Sequence, residues 1–270
     1  MAELTGRWHA YRHLLGAQVR SQTAYRASFA IDLATNAFIP VIDLLALLAT
    51  FRVTPTLGGF TAGDVLVMYG LSASAFALAD LVVGNIERIR IYVREGLLDA
   101  ILIRPLGVLA QLVTVDFTLR RIARLIVALA VLVIAVTRAD IPWTPARVAL
   151  LGWAPIAGAV LFGAIFVAGS TVAFWWIESG EIASSFTYGG RDFTSYPINV
   201  YGQLFRRLFA YGLGFAFIGY YPALALLGRS DPLGAPDWLR WCAPAASIVA
   251  ATAAAIVWRF GVRHYRSTGS

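Results

Sequence analysis

The sequence predicts an all-helical membrane protein with six transmembrane helices, an N-terminal amphipathic interfacial helix, and a charged cytoplasmic helix between spans 2 and 3. Three observations lead there. Apolar runs near twenty residues recur along the chain, and about 20 residues at ~1.5 Å each cross a ~30 Å hydrocarbon core. The 22 Lys+Arg residues are all arginine and gather in every second gap between those runs. At 59% hydrophobic residues and a mean hydropathy of +0.70, the chain lies outside the soluble globular range.

The elements follow in order within one transmembrane domain, 1–270. Over 4–26, Leu4, Trp8, Tyr11, Leu15 and Val19 form an apolar stripe flanked by Arg7, Arg12 and Arg20. That pattern predicts a helix lying in the membrane interface, with its arginines reaching headgroups. The first apolar run comes only after this polar stretch, so no cleavable signal peptide is expected and the first span serves as its own insertion signal. Spans 1 and 2 are read at 28–50 and 65–85, joined by a short loop around Pro55, Gly58 and Gly59. Residues 86–105 are dense in charge yet half apolar, which fits a short helical excursion on the cytoplasmic face.

Span 3 poses a choice. Starting it near Val108 puts Arg120, Arg121 and Arg124 near mid-membrane, at ~2.5–3.5 kcal/mol each on insertion scales. Starting it near Ile122 gives a slightly short span, and mismatch costs only fractions of a kcal/mol per Å. The late start, 122–137, is therefore expected, with 106–121 as a lead-in helix. Span 4 is read at 148–176, followed by a polar cytoplasmic stretch from Glu178 to Arg207. Span 5 at 208–227, an outer loop from Gly228 to Pro236, and span 6 at 241–260 complete the chain.

Cytoplasmic segments collect arginine, so the alternation also orients the chain with both termini inside. Only Arg52, Arg138, Arg147, Arg229 and Arg240 fall outside; all the others, Arg191, Arg206 and Arg207 among them, fall inside. The formal charge of +7 is thereby explained by membrane orientation, and no basic stripe points to nucleic acid.

Several chemistries are excluded or unsupported. A P-loop needs a lysine, and the chain has none. Cys242 stands alone, no paired-Cys or His/Glu metal spacing occurs, and His9, His13 and His264 sit in the termini. Neither a catalytic site nor a resident cofactor or metal is expected.

Intramembrane polar groups are the next candidates. Asp32, Asn36 and Asp43 share one face of span 1, and Asp80 lies in span 2. Such groups line a substrate path, carry a proton, or bond between helices. Asp32 and Asp80 fit interhelical bonding or the nearby interface better, while Asp43 fits both readings equally. The aromatics of span 5, Phe209 and Phe215 among them, either line a path for flat or lipidic molecules, face lipid or pack as core. The segment 94–105, REGLLDAILIRP, presents charges at its ends and Leu97, Leu98, Ile101 and Leu102 between them. It suits a groove on a soluble partner, or lies in the interface with no partner.

In that segment, Gly96-x-x-Asp99-x-x-Leu102-x-Arg104-Pro105 resembles the type-2 family of ABC export permeases, closest to a bacterial subgroup of small six-span permeases. Tyr196-Pro197 and Tyr221-Pro222 before Leu226-Leu227-Gly228 are similar to that subgroup too. The resemblance implies a coupling helix seated on a separate ATPase, with Arg94, Glu95, Gly96, Leu97, Leu98, Asp99, Leu102 and Arg104 at the contact. It further implies two copies of the ATPase, which carry the ATP and Mg. A second permease chain, identical or homologous, is implied, along with a bacterial inner-membrane location. With no large outer domain, a small amphipathic, lipid-like or drug-like cargo is expected to leave between the two permeases, past Asn36, Asp43, Phe209 and Phe215. The competing reading is a proton-coupled transporter that uses Asp43 or Asp80 as its carrier.

Overall fold

The computed structural model describes residues 26–265 apart from 105, 116, 117 and 120. The interfacial helix expected at 4–26 therefore lies almost wholly outside the described residues, as do Pro105 and Arg120. Every named element is helical, and among the described residues the only extended pairing is an isolated bridge between Leu57 and Phe60.

The first helix, α1 (Arg26–Val53), contains Pro40 and leaves most of its apolar side chains uncovered, Ile31, Phe38, Ile42 and Leu45 among them. A turn through Gly58 and Gly59, both at positive φ, reverses the chain. The second helix, α2 (Ala62–Val83), starts on a capping box. Thr61 accepts from the Asp64 backbone, while the Thr61 N–H donates to Asp64 Oδ2 at 2.8 Å. That reciprocal pair satisfies two donors that the first turn leaves open.

The core forms around α2, which is buried along nearly its whole length. Small residues let its neighbours approach. A Cβ at Gly70 would meet the Leu132 backbone of α6 (Arg121–Arg138) at 2.8 Å. On the other side, a Cβ at Gly158 of α7 (Pro145–Thr171) would meet Ala75 at 2.7 Å. Close backbone contact of this kind replaces the hydrophobic drive that helices lack inside a bilayer. Proline at N1 and the Thr144 cap start α7, and the last helix, α11 (Ala243–His264), packs along α7.

Between α2 and α6 the chain folds at one end of the bundle. A 3₁₀ turn (Gly84–Arg88) leads into α3 (Ile89–Arg94), α4 (Leu97–Leu102) and α5 (Val108–Val115).

The stretch after α7 departs from the sequence expectation. Glu178–Arg207 was expected as a polar cytoplasmic segment. Instead α8 (Gly180–Thr194) packs one face along α2 and α7, with Thr187, Phe193 and Thr194 buried. Its start is tied to α3 through Arg90–Glu181, its end bonds Thr194 to Ser72 midway along α2, and Asn199 donates to Gly58 O at 2.6 Å in the opposite turn. The polar residues that suggested a loop are used between helices. Serines and threonines of α8 return their hydroxyls to carbonyls four residues back, which lets a polar sequence remain helical in a packed setting.

The expected span 208–227 is likewise divided. A short helical turn, α9 (Gln203–Phe205), continues into a π-helix (Arg206–Gly212), and Gly214 at φ +76° begins a new 3₁₀ turn and α10 (Tyr220–Leu227). The two arms are bent by 66°. A π-turn leaves an α-helical ladder out of register, and glycine tolerates the left-handed residue that completes the break.

Among the described residues, four helices are long and apolar enough to cross a membrane: Phe29–Val53, Ala62–Arg94, Pro145–Phe174 and Ala243–His264. The bent pair makes a fifth if it counts as one span. The helix α6 falls short of the same standard because its eighteen residues include Arg121, Arg124 and Arg138.

Candidate functional site

The residues singled out in the sequence occupy three places: the α3–α4 end of the bundle, a pair of ionic sites between helices, and an aromatic cluster.

At the end of the bundle, Gly96 takes φ +67° and ψ 7° and turns α3 into α4. A side chain there would meet the left-handed penalty, so glycine is required by backbone geometry. Ile89, Val93, Leu98 and Ile101 point into the bundle. Gln111 of α5 secures the far end, donating to Ile101 O at 3.1 Å and Leu106 O at 2.9 Å. Arg94 pairs with Glu178 at 2.6 Å and Arg90 with Glu181 at 3.4 Å, so the element is braced against the start of α8. Tyr265, just past α11, faces Asp99. Desolvation first, then the nearby carboxylate, pushes the phenol above the ordinary tyrosine value.

What remains outward is Leu97, Leu102 and Ile103, with Arg94, Glu95 and Arg104 around them. Ile103 is 84% exposed, an unusual state for an isoleucine. Leu98 and Ile101, expected on the outward face, are instead the anchors. They lie three apart on one side of a six-residue helix, and that side is taken by the core.

The first interior site joins α1, α2 and α6. Asp80 is 2% exposed; its carboxylate accepts from Arg124 Nη1 at 2.8 Å and forms an ion pair with Arg121 Nε at 3.3 Å. Arg121 Nη1 also donates to Asp80 O at 2.8 Å, and Arg124 Nη2 donates to Asn36 Oδ1 at 3.0 Å. A side chain at Gly84 would strike Asp80 and Arg121. Two of the three arginines that make an early start of span 3 expensive, Arg121 and Arg124, are thus held by a carboxylate and an amide.

The second interior site is a cavity of about 300 Å³ between α1, α2 and α8, lined by Asp43, Tyr69, Arg191, Asp192, Ser195 and Tyr196. Arg191 pairs with Asp43 and lies 5.5 Å from the centre of the Phe76 ring. Tyr69 donates to Pro40 O at 2.9 Å. The arginine alternation places Arg191 in the cytoplasm, whereas the structure pairs it with Asp43 at this cavity. The available signal was the lone Asp43 near the middle of span 1, since a carboxylate at that depth calls for a cation.

Phe209 and Phe215 belong to the aromatic cluster. Phe209 stacks on Phe205 at 4.3 Å and on Phe186 at 5.9 Å, and Phe215 is buried between Phe162 and Phe193. The structure therefore does not bring Asn36, Asp43, Phe209 and Phe215 together on one path within a single chain. Asn36 serves the Asp80 site, Asp43 faces the cavity, and the phenylalanines pack α8 against the π-helix.

A multi-helical bundle with an apolar exterior and paired charges inside has the form of a multi-pass membrane protein. The chain matches no curated protein and no solved structure. Over residues 37–269 it matches the model of the family described as ABC-2 family transporter protein. That match takes in all but the first part of α1 and the whole α3–α4 element, so the chain is a multi-pass membrane protein that belongs to the ABC-2 transporter family, the type-2 ABC permeases.

Proposed function

We propose that this chain is the permease subunit of an ATP-driven exporter in a bacterial inner membrane. In this reading it crosses the membrane six times, α6 included, with both termini in the cytoplasm. Two permeases, identical or homologous, face one another and move a small amphipathic, lipid-like or drug-like molecule between them. Two copies of a separate ATPase bind ATP and Mg and drive the cycle.

The α3–Gly96–α4 element carries this reading. It is braced on one side by Leu98, Ile101 and two ion pairs, and it offers Leu97, Leu102 and Ile103 on the other. A rigid mount with an apolar tip ringed by charges suits a lever that transmits motion from a soluble partner. The proton-coupled alternative finds less support, because Asp80 and Asp43 are each neutralised by arginine and neither offers a vacant carboxylate.

Purification with the ATPase tests the proposal. Leu102→Asp and Ile103→Asp are expected to weaken the complex about tenfold or more, the usual effect of charging the centre of an interface. Gly96→Ala strains the turn by about 1–2 kcal/mol and should uncouple ATP hydrolysis from transport while leaving the helical content intact. Transport in vesicles driven by a proton gradient, with no ATPase present, would overturn the exporter reading.

A further inference from the structure

We infer that a groove between α2, α7 and α11 is a binding site for an anionic phospholipid, with one acyl chain along the groove and the headgroup on Arg259. The groove encloses about 430 Å³ and is almost entirely apolar. Val82, Val83 and Leu109 form one wall, Val160 and Val167 the floor, and Ala255 and Trp258 the other wall. That size and lining match sites that bury most of a hydrocarbon-rich ligand. The one charged lining residue is Arg259.

Depth and charge identify the occupant. Val83, Val167 and Arg259 lie at the same end of their helices. The close approach of Gly261 to Thr171 and Phe174 brings the ends of α11 and α7 together. That is the end from which α3 and α4 project, so the groove runs through the half of the bundle nearest the element just described. Trp258 is held at this level by Phe174, whose ring centre is 5.6 Å away, and tryptophan favours the boundary of the hydrocarbon core. Arg259 is exposed, and no carboxylate among the described residues pairs with it.

A groove that is apolar along its length and cationic at its mouth is complementary to an acyl chain that ends in a phosphate. A zwitterionic lipid would bring its own cation to Arg259, so the preference is for a net negative headgroup. The site lies on the flank of one chain. It rests on membrane location and does not depend on the identity of the cargo.

The test measures lipid retained by the full chain in mild detergent, by native mass spectrometry, after mixing with equal phosphatidylglycerol and phosphatidylcholine. Phosphatidylglycerol should be retained preferentially. Arg259→Gln should reduce that preference about five-fold, the effect of one arginine near a membrane surface, while Arg263→Gln, one turn further on, should leave most of it. Ala255→Phe, on the exposed rim, should displace the lipid by filling the groove without disturbing the core.

Equal retention of both lipids, or equal losses from Arg259→Gln and Arg263→Gln, would overturn the site. So would full retention with Ala255→Phe. If Ala255→Phe instead changes the oligomeric size, the groove is occupied by a second copy and the lipid assignment fails. Loss of the ATPase complex would leave this result untouched, and loss of lipid selectivity would leave the exporter reading untouched.

Discussion

At the end of the bundle, Arg90–Glu181 and Arg94–Glu178 brace α3 against α8 with all four side chains substantially exposed. Between α1, α2 and α6, Asp80 holds Arg121 and Arg124 with side-chain exposures of 3%, 18% and 16%. Both regions use arginine and carboxylate, yet their energetic weight differs. In water an ion pair gains little, because solvent already stabilises each charge. In a buried site the pair replaces solvent, so removal of either partner strands the other. The exposed pairs only trim an element whose rigid mount is the burial of Leu98 and Ile101, whereas the buried set is itself a structural joint.

Three experiments break or sharpen that contrast. Asp80→Asn should have the largest effect, about 3–5 kcal/mol, because it leaves two guanidinium groups without a counter-charge. Thermal unfolding in detergent would report it as a large fall in midpoint. The double variant Asp80→Asn/Arg124→Gln should recover part of the loss, and full additivity of the two changes would deny the pairing.

Asp43→Asn and Arg191→Gln should come next, at about 1–2 kcal/mol, because Asp43 borders a cavity and is partly solvated. The charge swap Asp43→Arg/Arg191→Asp should restore some stability, as monitored by protein yield and unfolding midpoint. A swap no better than either single change would remove the ion pair from the account of α8. The smallest effect is expected from Arg94→Gln and Arg90→Gln, within about 0.5 kcal/mol of the parent. A drop as large as that of Asp80→Asn would show that the two regions do not differ as described.

The same contrast explains which parts of the molecule were legible. The apolar runs of α1, α2, α7 and α11 stand out in the sequence because burial in hydrocarbon tolerates almost no polar residue over twenty positions. Gly96 and the leucines after it were legible as an amphipathic element. Which of its leucines faces outward was not, because a six-residue helix has too few turns to define a stripe and the core chooses the side. The stretch Glu178–Arg207 was misplaced for a related reason. Read alone, its polarity suggests solvent, yet α8 spends that polarity on Ser72, Asp43, Glu87 and its own carbonyls. Likewise, Arg121 and Arg124 are costly at depth only until Asp80 is placed beside them.

Composition and hydropathy alone place this chain in a membrane, locate its longest helices to within a few residues, and mark the segment that presents an amphipathic element. Those properties depend on local composition, and each residue's preference for lipid or water is largely its own. Packing sets the rest: α8 lies along α2 and α7, the run 208–227 breaks at Leu213–Gly214, and each arginine finds its carboxylate. Charge pairing joins residues 44 to 148 positions apart, as Asp80–Arg124 and Asp43–Arg191 do. A charge's cost depends on its partner, and the partner is known only once the helices have packed.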